Sequence, residues 1–580
     1  MLIERVCMKG FRNFKNIDVC LNKQNLLIGQ NDIGKTNFLY GIRLLLDKNL
    51  PESEVKIYES DFYAYEKTDE LSITLYFSDA KEDCVISRIG NFIEKDKFII
   101  KLIASREDVS IETHILIGKD EKNLEELDTR TYIRAFNMIY VSSSRDLKEI
   151  VRKQKRGLLN TYIEERNEEA VVKDETTQKN IVLKNRDLNK EISELSYVKN
   201  STTMIVDEMN KLVSDSDKVK YKFGILNRNE LDILNRLDLV SYYNENDMEV
   251  GGLGRSNQIY FSLWKNQFVT DDRVKNFIPL FFVEEPEAHL HPHSQRRLSK
   301  YLIEEIDNQI LITTHSPHIL SEFNTSNIIR FVLKENHTIS AQNGVSKQIS
   351  NKLNALAHRL NVVPAETFFS KGVILVEGKS EELFYKAACS KLNIDLDKLN
   401  ISILSVEGVG FDVFIDALST LLIPFTVRTD NDLIKKKNGL YRAAGVLRGL
   451  AIYEKYHEQT DETLNRIISQ KDKLENIEFK EIDSESILSL ISEARTALEI
   501  VDFYVAEKDL ENDIVLSKLV ADLKKYYSTE KEIDILEKMK DKKATTMFEI
   551  LSEQILDFDK VKDHSLLKPI HKCITMVSDS

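Results

Sequence analysis

Residues Gly29-Gln30-Asn31-Asp32-Ile33-Gly34-Lys35-Thr36 form a complete G-x-x-x-x-G-K-[ST] loop. The apolar run Leu26-Leu27-Ile28 precedes it, and the helical stretch from Phe38 to Leu46 follows. Strand, glycine-rich loop and helix in that order let successive backbone N–H groups and a helix N-terminus surround a β-phosphate. Gly29 and Gly34 permit the tight backbone path. Lys35 is expected to reach the β- and γ-phosphates and Thr36 to ligate Mg²⁺, with Asn31 and Asn37 beside them in a site for ATP.

The partner of such a loop is a buried strand ending in acids. Pro279-Leu280-Phe281-Phe282-Val283 leads into Glu284-Glu285-Pro286-Glu287. Glu284 takes the usual Asp position and is expected to hold Mg²⁺; Glu285 is expected to polarise the attacking water. A further buried strand, Gln309 to Thr314, ends at His315-Ser316-Pro317, and His315 can sense a γ-phosphate by hydrogen bonding. The glycine-rich stretch Gly251-Gly252-Leu253-Gly254-Arg255-Ser256-Asn257-Gln258 is a candidate for the helix start that a second subunit would offer to that phosphate.

A second phosphate-handling centre is spelled by acids near the far end. Val373-Ile374-Leu375-Val376 delivers Glu377-Gly378, Leu422 to Val427 precedes Asp430-Asn431-Asp432, and Ile500 to Val505 leads to Asp509-Leu510-Glu511. Ligands convening at the carboxyl ends of parallel strands suit an open α/β site. Residues two apart on a strand share a face, so Asp430 and Asp432 are expected to share one cation. Two divalent ions held by Glu377, Asp430, Asp432, Asp509 and Glu511 would activate water and stabilise a leaving oxygen. Lys543 is a candidate to neutralise the pentavalent phosphate.

With 580 residues the chain is too long for one core. Residues 1–145 read as the first part of an α/β ATPase. Residues 146–245 read as a helical insertion, an antiparallel hairpin suited to dimerisation: Leu188, Ile192 and Leu195 have helical spacing, as do Ile205, Met209 and Leu212. Residues 246–345 return to the ATPase, 346–368 connect, and 369–580 form a second α/β domain with a charged helical insertion at about 435–500. No eighteen-residue apolar run, no secretory leader pattern and five scattered cysteines lead to the expectation of a cytoplasmic, reduced protein with no membrane association. The net charge of −14 argues against indiscriminate coating of nucleic acid, but not against binding in a local groove. Lys435-Lys436-Lys437, with Arg442 and Arg448 beyond, reads either as a solvated loop or as a phosphate-backbone contact beside the metals.

The order of these segments resembles the ABC-type ATPases of the SMC, RecF and OLD group. The series Glu-Gly, Asp-x-Asp, Asp-Leu-Glu is similar to a Toprim domain. An ABC-type ATPase followed by Toprim is the layout of OLD-family nucleases. Phe11-Arg12-Asn13-Phe14, Thr314-His315-Ser316-Pro317 and the lysine-to-methionine stretch Lys543 to Met547 resemble the Gabija-type anti-phage branch of that family. The resemblance implies an endonuclease of double-stranded DNA that uses Mg²⁺ or Mn²⁺ and is restrained by bound nucleotide. It assigns Glu377, Asp430, Asp432, Asp509 and Glu511 as metal ligands and Lys543 as the catalytic lysine. It also implies a homotetramer built from dimers and a UvrD-like helicase partner. The rival expectation is an ATP-switched DNA-repair protein of RecF/SMC type with a non-catalytic Toprim-like domain. A topoisomerase would need a DNA-gate domain with a nucleophilic tyrosine. A primase would need a template-binding module, often zinc-bearing, that these cysteines do not supply.

Overall fold

The computed structural model describes residues 1–142 apart from 51–54 and 108–109, then 159, 162–163, 165–212, 223, 240–243, 246–249, 277–341 and 362–579 apart from 408, 409, 459 and 483. It divides into two units. The first holds Met1–Val141, Asn276–Glu287 and Pro292–Ser580; the second holds Ser142–Lys275 with Ala288–His291.

The first unit opens with a six-stranded antiparallel sheet. Its strands are β1 (Leu2–Phe11), β2 (Phe14–Cys20), then, after the P-loop strand β3 (Gln24–Gly29), β4 (Glu70–Ser78), β5 (Phe98–Arg106), β6 (Ile111–Gly118) and β7 (Leu124–Glu126). They lie in the order β2-β1-β4-β5-β6-β7. β3 leaves that sheet for a second one, with β8 (Phe136–Val141), β11 (Ile278–Glu284), β12 (Gln309–Thr313), β13 (Ile328–Lys334) and β14 (His337–Ala341); β9 (Val240–Tyr243) and β10 (Asn246–Glu249) belong to the second unit. The order is β14-β13-β3-β12-β11-β8, parallel except for the β13–β14 pair. Every residue of β11 and of β12 is buried, as expected for strands covered on both faces. Helix α1 (Lys35–Leu46) starts straight from the P-loop. It is held by a ring cluster in which Phe38 lies 6.4 Å from Phe14 and 5.4 Å from Phe331, edge to face.

A separate core follows in the same unit. Four parallel strands, β15 (Gly372–Val376), β16 (Ile401–Ser405), β17 (Phe425–Thr429) and β20 (Phe503–Val505), run in the order β16-β15-β17-β20. Between β17 and β20 stand a small ribbon, β18 (Leu433–Lys435) with β19 (Tyr441–Ala443), and a run of helices ending at Leu498. The P-loop sheet is tied to the segments that flank β15 and β17 by Arg330 on β13, which pairs with Ile28 of the P-loop strand. Arg330 is 4% exposed; its guanidinium donates to the carbonyls of Leu421 (2.8 Å), Leu422 (3.1 Å) and Ser370 (3.0 Å). Burial lowers its pKa to about 10.

The second unit contains the long helix α2 (Glu168–Glu194), the helix α3 (Ser196–Leu212) and the hairpin of β9 (Val240–Tyr243) with β10 (Asn246–Glu249). α2 has no buried residue and exposes Ile181, Leu183 and Leu188; a single residue, Leu195, separates it from α3. The expected hairpin and dimerisation surface rest partly on residues outside those described. Among the described residues, no helix is long and apolar enough to cross a membrane.

Candidate nucleotide site and acidic centre

β3 is buried from Asn25 onward and ends at Gly29, where φ is 153° and a Cβ would lie 2.9 Å from the carbonyl oxygen of Phe331. Gly34, at φ 100°, is tighter: a Cβ there would sit 2.1 Å from the Asn13 amide nitrogen. Only glycine fits both the left-handed backbone and that approach. The Lys35 ammonium donates to the carbonyls of Gly29 (2.9 Å) and Gln30 (2.7 Å), and burial lowers its pKa to about 8. Around it lies a cavity of about 440 Å³ lined by Asn31, Asp32, Gly34, Lys35, Thr36, Asn37, Glu285 and His315. The pocket joins the P-loop to two of the expected residues from the neighbouring strand ends, and its size, exposed backbone and lysine fit a nucleotide's phosphates.

Glu284 ends β11 buried at 3% exposure and accepts from the Tyr140 hydroxyl at 2.8 Å. The chain turns sharply after it: Glu285 has φ 42°, and its carboxylate lies 3.7 Å from His315 Nε2. Burial, and then the charge of Lys35, lower His315 to about 4, so the imidazole is neutral at pH 7. Three supporting residues escaped the sequence reading. Asn13 donates to Ile33 O and Thr338 Oγ1, both at 2.8 Å, and accepts from Asn37 at 2.7 Å. Tyr140 braces Glu284. Glu287 accepts from the His315 backbone N–H (2.7 Å) and the Thr314 hydroxyl (2.8 Å). Asn13 lies in the Phe11–Phe14 segment, but its partner Thr338 is 325 positions away in the chain. The candidate stretch Gly251–Gln258 lies outside the described residues.

The second centre stands at the carboxyl ends of β15, β17 and β20. Glu377 follows β15; its Oε2 accepts from the Thr429 hydroxyl (2.7 Å), the Asp430 backbone N–H (3.1 Å) and Arg448 (3.0 Å). Burial opposes its ionisation, but Thr429 and Arg448 hold the carboxyl below its usual range. Asp430 is raised to about 7 by burial, Lys543 notwithstanding, with Glu377, Glu511 and Asp509 adding to the rise. Glu511, 1% exposed, is raised by burial, against the pull of Lys543. Asp509 caps the helix Leu510–Leu516 through the Asn512 N–H (2.9 Å) and pairs with Lys540 at 2.7 Å; burial would raise it, but that lysine and Asn512 hold it low. The Lys543 ammonium stands between the other two, 3.2 Å from Glu511 and 3.6 Å from Asp430. Desolvation acts against its charge, but Glu511 and Asp430 outweigh it and raise its pKa.

Glu377, Asp430, Asp509, Glu511 and Lys543 are thus drawn into one electrostatic cluster. Asp432 is not: β17 ends at Thr429, so the two-residue strand period does not extend to it, and its side chain is exposed while its carbonyl accepts from the Ala444 N–H at 2.9 Å. Glu381 joins the cluster unannounced. It is 3% exposed, and burial and then Asp430 raise it to about 8; its Oε2 accepts from the Gly378 N–H. The Gly378-to-Glu381 spacing of a helix N-terminus was a legible signal for it. Asp430 Oδ1, Glu381 Oε1 and Glu511 Oε1 are buried with no hydrogen-bond partner. Orphaned carboxylate oxygens of this kind fit a hard divalent cation. Among the described residues no three such side chains stand at ligand spacing, and the Lys543 ammonium fills the gap between two of them.

A family model described as "AAA ATPase domain" matches residues 1–248 and 217–320, and one described as "Overcoming lysogenization defect protein-like, TOPRIM domain" matches 368–432. The chain is 26% identical over 563 residues to the endonuclease GajA of Bacillus cereus strain VD045, across 93% of this chain and 94% of that protein. It is 22% identical to the OLD nuclease of Thermus scotoductus, across 74% and 82% of the two chains. To the Old nuclease of Escherichia phage P2 it is 25% identical, across 70% and 72%.

Proposed function

We propose that this chain, which belongs to the OLD family with its AAA ATPase domain over residues 1–320 and its Toprim domain after it, is a DNA endonuclease that depends on Mg²⁺ or Mn²⁺ and is controlled by bound ATP. The observation that carries the reading is the meeting of acids from three strand ends, with buried oxygens left unpartnered, around one lysine. When bound, divalent metal supplies a nucleophilic water and a Lewis acid for the phosphodiester. Glu377, Asp430, Asp509 and Glu511 would hold it, with the exposed Asp432 outside their cluster. Arg448 and Thr429 orient Glu377, Lys540 orients Asp509, and Lys543 brings positive charge to where a pentavalent phosphate gains negative charge.

In the ATPase half, Lys35, Thr36, Gly29, Gly34, Asn31 and Asn37 would bind the triphosphate. Glu284 would hold its Mg²⁺, Glu285 would polarise water, and neutral His315 would sense the γ-phosphate. The likeness to the endonuclease GajA supports the nuclease part of this reading; a role in anti-phage defence, a homotetramer built from dimers and a UvrD-like helicase partner belong to the same proposal.

Plasmid cleavage in Mg²⁺ or Mn²⁺, wild type against Glu377→Ala, tests it. Cleavage is expected to fall at least a hundredfold in the variant; metal-dependent cutting that survives would remove the site assignment. Absence of cutting by the wild type, with ATP binding intact, would favour the RecF/SMC-type alternative. Lys35→Ala is expected to weaken ATP binding and to make cleavage less sensitive to ATP. Equal inhibition of both proteins would point to chelation of the metal by ATP.

A further inference from the structure

The ribbon beside the acidic centre has no part in the chemistry above. Between Asp432 and Glu454 the chain carries Lys435, Lys436, Lys437, Arg442 and Arg448 and no carboxylate, in a protein of net charge −14. Two of the five are engaged. Arg448 is turned onto Glu377 at 3.0 Å, and Lys436 donates to Asn476 (2.9 Å) and to the Glu475 carbonyl (3.2 Å). Lys435, Lys437 and Arg442 are exposed, and among the described residues no carboxylate pairs with them. Lys435 lies over the Tyr441 ring, 5.9 Å from its centre.

The ribbon is also firmly rooted. At one foot the Ala444 N–H donates to the Asp432 carbonyl at 2.9 Å, and a Cβ on Gly445 would lie 2.2 Å from the Asp430 carbonyl oxygen. β19 is paired on its other side, Tyr441 and Ile477 exchanging two 2.8 Å hydrogen bonds, and the Tyr441 ring packs against Phe479 at 6.1 Å. Glu478, next to Phe479, is occupied by Lys480 at 2.8 Å. Three uncompensated cations on a ribbon anchored to Asp430 and Asp432 are placed to offset the repulsion that the carboxylates exert on a polyanion.

We propose that the Leu433–Ala443 ribbon is the grip for the duplex backbone at the Toprim site, Lys435, Lys437 and Arg442 each neutralising a phosphate as the DNA enters. This rests on the endonuclease reading and names the element that holds its substrate. Fluorescence anisotropy with a labelled linear duplex in EDTA, titrated at a series of KCl concentrations, tests it. Each neutralised phosphate contributes about 0.9 to the slope of log K against log salt, so Lys435→Ala/Lys437→Ala/Arg442→Ala is expected to lower that slope by about 2.7. Single Lys435→Gln and Lys437→Gln variants should each lower it by about 0.9, and Phe479→Ala, which removes an exposed ring and no charge, should keep it. An unchanged slope in the triple variant, while wild type binds and cuts, overturns the grip and leaves the endonuclease standing. A wild type that binds no DNA overturns both.

Discussion

Lys543 and Glu511 form an ion pair at 3.2 Å in which the carboxylate is 1% exposed and the lysine also reaches Asp430 at 3.6 Å. One ammonium therefore compensates two acids that burial drives toward protonation. A divalent cation entering between these acids must compete with it.

Lys543→Ala is accordingly expected to separate two properties. DNA cleavage should fall by about a hundredfold or more, as for loss of a single electrostatic donor in a transition state. Binding of Mn²⁺, followed by calorimetry, should tighten, because the competing charge is gone. Weaker metal binding would mean that the lysine supports the metal rather than displacing it. The metal-free variant should melt lower than wild type, and metal should recover more of that loss than it adds to wild type.

Metal binding should depend on pH in the neutral range. Asp430 titrates at about 7 and Glu381 at about 8 in the folded chain. These raised values mean that the metal-free fold holds protons that the unfolded chain has released. The cost of ionising Asp430 therefore grows as pH rises from about 4 to about 7 and is constant above. A cation must expel the proton, so affinity should rise about tenfold between pH 6 and pH 8 from Asp430 alone. Glu381→Gln should flatten the upper part of that profile; a flat wild-type profile would contradict the buried, unpartnered state of these oxygens.

Arg330→Met removes donors from three carbonyls, those of Leu421, Leu422 and Ser370. An unsatisfied buried acceptor costs about 1–3 kcal/mol, so urea unfolding should show a loss of at least about 2 kcal/mol. Because β13 lies beside the P-loop strand, the nucleotide sensitivity of cleavage should fall more than basal cleavage does in Arg330→Lys, which keeps the charge with fewer donors. Equal loss of both would make Arg330 purely structural.

The parts of the fold legible in the sequence were those with local causes. Gly29 and Gly34 stand where no side chain fits, and the apolar runs ending at Glu284, Thr313 and Val376 are strands buried on both faces. Glu377, Asp430, Asp509 and Glu511 could be read because each ends such a strand or starts the helix after it. Asp432 could not be placed by the same logic, since alternation applies only while the strand lasts. Tyr140, Glu287, Lys540 and Asn13 were hidden for a different reason: each acts by a hydrogen bond or ion pair to a group set by tertiary packing, as when Asn13 reaches Thr338 across 325 positions.

The parallel neighbours β8 and β11 pair from Phe136 with Ile278 to Val141 with Val283, and residues 142–277 run between them. A parallel pair needs a crossover of a dozen or more residues in any case, so the sheet fixes where this excursion departs and returns but sets no upper limit on its length. Lengthening, trimming or exchanging that segment costs the P-loop sheet little. The ATPase scaffold can thus acquire new assembly habits without reopening its own hydrogen-bond ladder, and a chimera with a short helical crossover should retain the nucleotide pocket.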